Sequence, residues 1–361
     1  MSKRQYAKSV GFTLIFVVPV LPYLWYQIGH AWITPIIFFL VLPLLGRAMG
    51  SDKTPPLSPA KISPLLRTYY IWLPRLYLPV WLISLIWAAQ TISYSDISTV
   101  SQIGLGLSAA MGSLIAAPIA HELMHREPRL DTWLARLMVT LIGYPTYIRE
   151  HFSHHRYVGI PDRGLSARVG ESLWSFLVRV LPEGIRSAMV FEAEVLAIQK
   201  KSVWHSSILQ NCVIVLAWAL LFFWLAGTAG VLFFVLQAAF SIFAIQAINY
   251  VQHYGLVRLT DEPVGHEISW EDNCPIANCL TLNINYHSHH HITPNLPYFA
   301  LAWDSRSPRL PASYMIMFMV AVFPPFWRKV MDKRLIAYLK HQGKRVQPDG
   351  DCLKALGELL H

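Results

Sequence analysis

The sequence predicts an all-α integral membrane protein with about six transmembrane helices and a histidine-rich metal site on the cytoplasmic side. Three observations predict it. Of the 361 residues, 54% are hydrophobic and only 14% charged, and the mean hydropathy is +0.38, outside the range of ordinary soluble domains. Apolar runs recur at lengths near the roughly 17 to 25 residues with which a helix crosses a hydrocarbon core. Ten of the fifteen histidines stand in four short stretches.

In chain order the apolar runs lie near Val10 to Ile28, Ala31 to Leu45, Tyr69 to Ala89, Val100 to Ile119, Ser207 to Leu225 and Gly230 to Tyr250. The second is short for a crossing. The first has no small-residue cleavage site after a short core, so it reads as a retained helix and not as a signal peptide. A further stretch, "PASYMIMFMVAVFPPFW" at 311–327, is short and ends in Pro324-Pro325, which points to an interfacial or re-entrant helix. Residues 1–332 then form one membrane-embedded catalytic domain, and 333–361 a polar cytoplasmic tail.

Orientation follows from Lys and Arg, which concentrate in cytoplasmic loops near helix ends. Lys3, Arg4 and Lys8 precede the first run, and Arg47, Lys53, Lys61 and Arg67 separate the second from the third. The 120–206 segment and the chain from 251 onward hold nearly all the rest, whereas "GH", "QTISYSDISTV" and "AGTAG" hold none. Both termini are therefore expected in the cytoplasm, with the protein multi-pass in the inner (cytoplasmic) membrane. The net charge of +9 flanks the spans and forms no single block, so anionic lipid headgroups or an acidic protein donor are expected as partners, and nucleic acid is not. Cys212, Cys274, Cys279 and Cys352 form no C-x-x-C pair, so the chain carries no rubredoxin-like or ferredoxin-like electron-transfer module of its own.

The four histidine stretches are "HELMH" (His121, His125), "HFSHH" (His151, His154, His155), "NYVQHYG" (His253) and "HSHHH", in which His287, His290 and His291 form a spaced set and His289 is an extra. Residues four apart share a helix face, so His121 and His125 can bind one ion together. The triplets repeat an i, i+3, i+4 pattern, again one helical face. One tetrahedral zinc takes four ligands, so nine imidazoles point to two metals of higher coordination number. Imidazole suits iron, copper or zinc, and a crowded nitrogen shell favours a redox ion. Fed from an apolar space between helices, such a site would meet a lipophilic substrate and dioxygen.

"HELMHR", "HFSHH", "NYVQHYGLVR" and "HSHHH", with "GESLWSFLVR" and "FEAEVL" between them, resemble the histidine boxes of the integral-membrane alkane and xylene monooxygenases, part of the fatty acid desaturase-like superfamily. The resemblance covers roughly residues 100–300. It implies that His121, His125, His151, His154, His155, His253, His287, His290 and His291 hold two iron ions. It also implies that dioxygen is the co-substrate and that a terminal or benzylic carbon is hydroxylated. Electrons would come from NAD(P)H through a separate reductase and a rubredoxin or ferredoxin. The second box reads H-x-x-H-H, as in desaturases, where the alkane and xylene enzymes read H-x-x-x-H-H, which shifts His151 by one position. Gln252 stands where alkane hydroxylases carry an acid, and Asp162 is the single carboxylate of "IPDRGLSAR". Glu122, Asp162 and Asn249 are candidates to support the ligand imidazoles.

Three other readings compete. The same site could act on a medium-chain fatty acid, by decarboxylation to a terminal alkene or by desaturation, with Arg149, Arg156, Arg163 or Arg168 binding the carboxylate. "HELMH" alone matches an intramembrane zinc protease with Glu122 as general base. A metal transporter would need polar residues along the spans, and these are few.

Overall fold

The computed structural model describes residues 1–161 and 163–341. Asp162, Cys352 and the end of the expected tail lie outside the described residues. Regular structure is helical throughout; a single isolated bridge joins Glu271 and Arg309, and there is no strand among the described residues.

Among the described residues, four helices are long and apolar enough to cross a membrane: α1 (Lys3–Gln27), α3 (Pro64–Tyr94), α4 (Thr99–Met124) and α8 (Ser207–His253), with α2 (Ile33–Met49) a shorter apolar helix between the first two. Ser2 caps α1 through a reciprocal bond pair with Gln5. Within α2, Ile37–Val41 form a π-helical turn, the kind of insertion that re-aims side chains.

A straight helix of 47 residues would reach about 70 Å, more than twice the roughly 30 Å of a hydrocarbon core. α8 is not straight. Ala226 and Gly227 leave helical geometry, Gly227 with φ +59°, and the chain reverses there. The rings of Phe222 and Phe234 stack with centroids 5.5 Å apart, although twelve helical residues would separate them by about 18 Å. α8 is thus a hairpin of two arms, and the apolar helical segments fall where the six runs lie in the sequence. Close approach at the turn demands a glycine: a Cβ on Gly230 would stand 2.4 Å from the Phe222 carbonyl oxygen. Gly230→Ala should lower the thermal unfolding temperature in detergent, with a cost of about 1–3 kcal/mol for the forced shift.

The segment 120–206, which reads as a cytoplasmic loop, is mostly helix. α5 (Arg129–Leu141) runs back beside α4. Its end is pinned by Gln237 on the second arm of α8, which donates to the Leu141 carbonyl at 2.8 Å and accepts from Ser113 of α4 at 2.8 Å. α6 (Tyr147–Tyr157) then carries the second histidine box, and α7 (Leu173–Ile198) packs across it. After the α8 hairpin come the short helices α9 (Pro275–Leu280) and α10 (His287–Ile292), the latter carrying the last box.

The 311–327 stretch is two helices, α11 (Tyr314–Ala321) and α12 (Pro324–His341). Pro324 opens α12, since the first turn of a helix has no use for the missing N–H. α12 continues past Lys333 with Met331 and Leu335 buried, and Asp332 accepts from Tyr254 at 2.6 Å.

A candidate dimetal centre

Four elements bring nine imidazoles together. The end of α4 supplies His121 and His125, α6 supplies His151, His154 and His155, the end of α8 supplies His253, and α10 supplies His287, His290 and His291. They form two groups: His121, His125, His151, His155 and His290 in one, and His154, His253, His287 and His291 in the other. Within each, one nitrogen per residue lies within 4.8 Å of the others.

The i, i+3, i+4 triplets therefore do not act as one face each. On α6 the i, i+4 pair His151/His155 serves the five-histidine group and His154 turns to the other. On α10 the pair His287/His291 serves the four-histidine group and His290 crosses over. Four residues span slightly more than one 3.6-residue turn, whereas three fall short of it, so the two positions diverge by about 100° per residue of difference. His151, one position out of place in the box, belongs to the five, its ring 4.4, 5.0 and 4.5 Å from those of His121, His125 and His155.

The nitrogens face one another as metal ligands do. Nε2 of His125 and His151 are 2.8 Å apart, Nε2 of His155 and His290 3.0 Å, and Nε2 of His287 and His291 3.0 Å. Nε2 of His121 and of His253 are buried with no hydrogen-bond partner. Two backbone carbonyls fix ring orientation: Gly164 accepts from Nδ1 of His154 at 3.0 Å, and Ile268 from Nδ1 of His253 at 2.9 Å. With Nδ1 holding the proton, Nε2 presents its lone pair inward. These orphaned and mutually opposed nitrogens fit a pair of metal ions.

Burial holds these imidazoles neutral. It pushes His154 down to about 4. Burial and, after it, the neighbouring imidazoles depress His151, His287, His290 and His291 well below the usual histidine range. A depressed group binds fewer protons folded than unfolded, so its contribution is adverse at acid pH. Metal-free protein should accordingly lose stability as pH falls below the unfolded value near 6.5 and go on losing it toward pH 4. Thermal unfolding of chelated protein across that window checks this, and metal loading should stop over the same range.

A cavity of about 220 Å³ opens onto both groups, touching His121, His151, His154 and His287. Phe38 and Phe39 from the π-helical turn line it with Ile115, Ile245, Met315 and Phe318. Among the described residues, no Lys or Arg lines it.

Glu122 accepts from Arg126 at 2.9 and 3.1 Å and, at 3.4 Å, from the N–H of Tyr298; these partners tie the end of α4 to the segment after α10. Asn249 lines the cavity and donates to the Leu165 carbonyl at 3.2 Å and to Gln246 at 3.0 Å. Sequence reasoning missed Glu150, buried beside His151. Its carboxyl accepts from Tyr144 at 2.8 and 2.9 Å and from Gln246 at 2.7 Å, and burial raises it to about 7. Gln246, a polar residue in an apolar run, was the available signal.

The fatty acid desaturase family profile matches residues 98–321. The chain is 30% identical over 330 residues to alkane 1-monooxygenase 2 of Alcanivorax borkumensis, covering 89% of this chain and 86% of that protein. It is 30% identical over 315 residues to alkane 1-monooxygenase of Acinetobacter baylyi, covering 85% and 77%. With the xylene/toluene monooxygenase hydroxylase component XylM of Pseudomonas putida it shares 29% over 219 residues, covering 60% and 59%.

Proposed function

The chain belongs to the fatty acid desaturase family, in its alkane and xylene monooxygenase branch, and from that premise we propose that it is a membrane diiron enzyme that hydroxylates a terminal or benzylic carbon of a medium-chain alkane or alkyl-aromatic compound. The reaction is RH + O₂ + 2 e⁻ + 2 H⁺ → ROH + H₂O.

The observation that carries this reading is the cavity that touches both histidine groups and is lined largely by hydrocarbon side chains, with Glu150, Gln246, Asn249 and Gln252 among its polar residues and, among the described residues, no Lys or Arg. Nine neutral imidazoles suit iron by ligand type, and when bound the metal pair would supply dioxygen activation and the removal of hydrogen from an unactivated C–H bond. The chain does the rest. His121, His125, His151, His155 and His290 would hold one ion, and His154, His253, His287 and His291 the other. The carbonyls of Gly164 and Ile268 keep two rings aimed. The apolar part of the wall places the substrate by shape, since a hydrocarbon offers no group to bond.

The fatty acid reading is disfavoured by the same wall. A carboxylate would meet Glu150 and no arginine there; Arg149 is bonded to Glu192, and Arg156 to Glu194 at 2.6 Å. The protease reading needs a free general base, and Glu122 is held by Arg126. Electrons would come from NAD(P)H through a reductase and a rubredoxin or ferredoxin. The lysine and arginine distribution favours an inner-membrane protein with both termini cytoplasmic.

Anaerobically purified protein should contain two irons per chain and, with a donor system, convert octane or xylene to an alcohol carrying oxygen from ¹⁸O₂. Undecene from dodecanoic acid as the main product would move the assignment to decarboxylation, and a single zinc with no oxygen-dependent product would end the diiron reading.

A further inference from the structure

α7 runs for 26 residues, about 39 Å, through the segment whose arginines and glutamates read as a cytoplasmic loop. Its inward face is fixed against the bundle. Phe176, Val180 and Ala188 are fully buried, the hydroxyls of Ser187 and of Ser153 on α6 meet at 2.6 Å, and a Cβ on Gly184 would stand 2.7 Å from the carboxyl carbon of Glu150. Its outward face is divided into two strips. At about 100° per residue, Trp174, Val178, Pro182, Ile185 and Met189 fall within roughly 80° of one another, and all five are exposed, Val178 to 79%. Arg179, Glu183 and Arg186 form the second strip, about 100° further round. A face turned to water has no reason to repeat an apolar side chain at every turn from Trp174 to Met189.

The apolar strip continues the surface of the spans. At one end the ring of Trp174 stacks on that of Phe243, centroids 5.9 Å apart. Phe243 lies ten residues before His253 on the second arm of α8, so this contact is made about 15 Å along that arm from the histidine. The indole N–H of Trp174 donates to the Val322 carbonyl at 3.1 Å, beside the exposed rings of Phe323 and Phe326. At the other end the exposed Ile198 and Trp204 lead into the first arm of α8, whose Val213 and Leu216 are exposed in turn. Charge is distributed to match. Arg149, Arg156 and Arg179 are paired with Glu192, Glu194 and Glu171, and Arg186 offsets Glu183 in number. Lys200 and Lys201, both exposed beside Trp204, are then the excess.

We propose that α7 lies in the plane of the membrane, at the face of the bilayer that bears the histidines, with its apolar strip among the acyl chains and Lys200, Lys201 and Trp204 at the headgroups of anionic phospholipid. The occupant of the strip is the bilayer itself. A helix with one apolar and one charged strip settles about 5–10 Å into the boundary between headgroups and chains. Trp174, against Phe243, is the deepest point of contact, and the Arg179, Glu183 and Arg186 strip turns to the headgroups and water. Tryptophan and lysine at the end of the helix are the side chains that anchor at such a boundary. The seating concerns the surface of the protein and holds whatever reaction the metal centre performs.

The test uses the full-length protein in nanodiscs containing phosphatidylglycerol, with a diazirine in the lipid acyl tails, and maps the adducts by mass spectrometry after illumination. Val178, Ile185 and Met189 should carry lipid at yields within about threefold of those at Val213 and Leu216, and about tenfold above that at Glu183. A strip without adducts, in particles whose Val213 and Leu216 are labelled, would overturn the proposal. So would native mass spectrometry showing two chains per particle that Val178→Glu/Met189→Glu separates, which would assign the strip to a contact between copies. Lys200→Glu/Lys201→Glu should lower the yield at Met189 and Ile198 by about threefold or more with phosphatidylglycerol present, and should not change it in purely zwitterionic nanodiscs. An unchanged yield in both lipids would overturn the headgroup contact.

Discussion

His151→Ala should leave a folded membrane protein that binds less iron and has lost hydroxylation. His151 is buried between His121, His125 and His155, with its Nε2 2.8 Å from that of His125. Removing it leaves the five-histidine group with four nitrogens and the opposed Nε2 of His125 without its counterpart. Loss of a mere supporting partner at a metal site costs roughly 10–100-fold in affinity or activity, so removal of a ligand is expected to exceed that. Iron analysis beside alcohol yield checks it. His289→Ala is the control: it changes the same kind of residue next to a metal-group histidine, and iron content should hold. If His151→Ala kept both irons and full activity, the five-histidine group would have to be redrawn without it.

Ala117→Phe should act on the substrate and not on the metal. Ala117 is buried on α4 and lines the cavity one turn before His121, so a phenyl ring there takes space that the substrate chain would use. Excluding a methylene from an apolar pocket costs about 1–3 kcal/mol, or roughly 10–200-fold in kcat/KM. The longest alkanes accepted by the wild type should therefore lose most, shorter ones less, and iron content should not change. A uniform loss across chain lengths would place the substrate elsewhere.

Much of this was legible in the sequence, for reasons that differ by element. Spans announce themselves because lipid tolerates little but apolar helix, and α3 and α4 lie where their runs do. The nine histidines were legible because helical spacing is visible as text. Their division into two groups was not, because which of His154 and His155 turns to which ion depends on how α6 sits against α10 and the end of α8. The 47-residue helix was divided correctly by the glycines of "AGTAG", where the chain turns. α5 was harder. Its charges, Arg129, Asp131 and Arg136, mark it as a loop, yet Asp131 is buried against Arg75 at 2.6 Å and Arg136 is bonded to Asn211 at 2.9 Å. Charge reads as exposure unless the partner, far away in the chain, is also known.

The crossed allegiance of α6 and α10 has a consequence for how the centre is assembled. Each helix serves both groups, so neither group can be ordered alone. If the centre takes two ions as proposed, the first to arrive would have to align both helices and bear the entropy of doing so. The second then finds its nitrogens already aimed, and binds more tightly for that reason alone. Starved of metal, a population of these molecules should divide into empty and doubly loaded chains, with few holding a single ion.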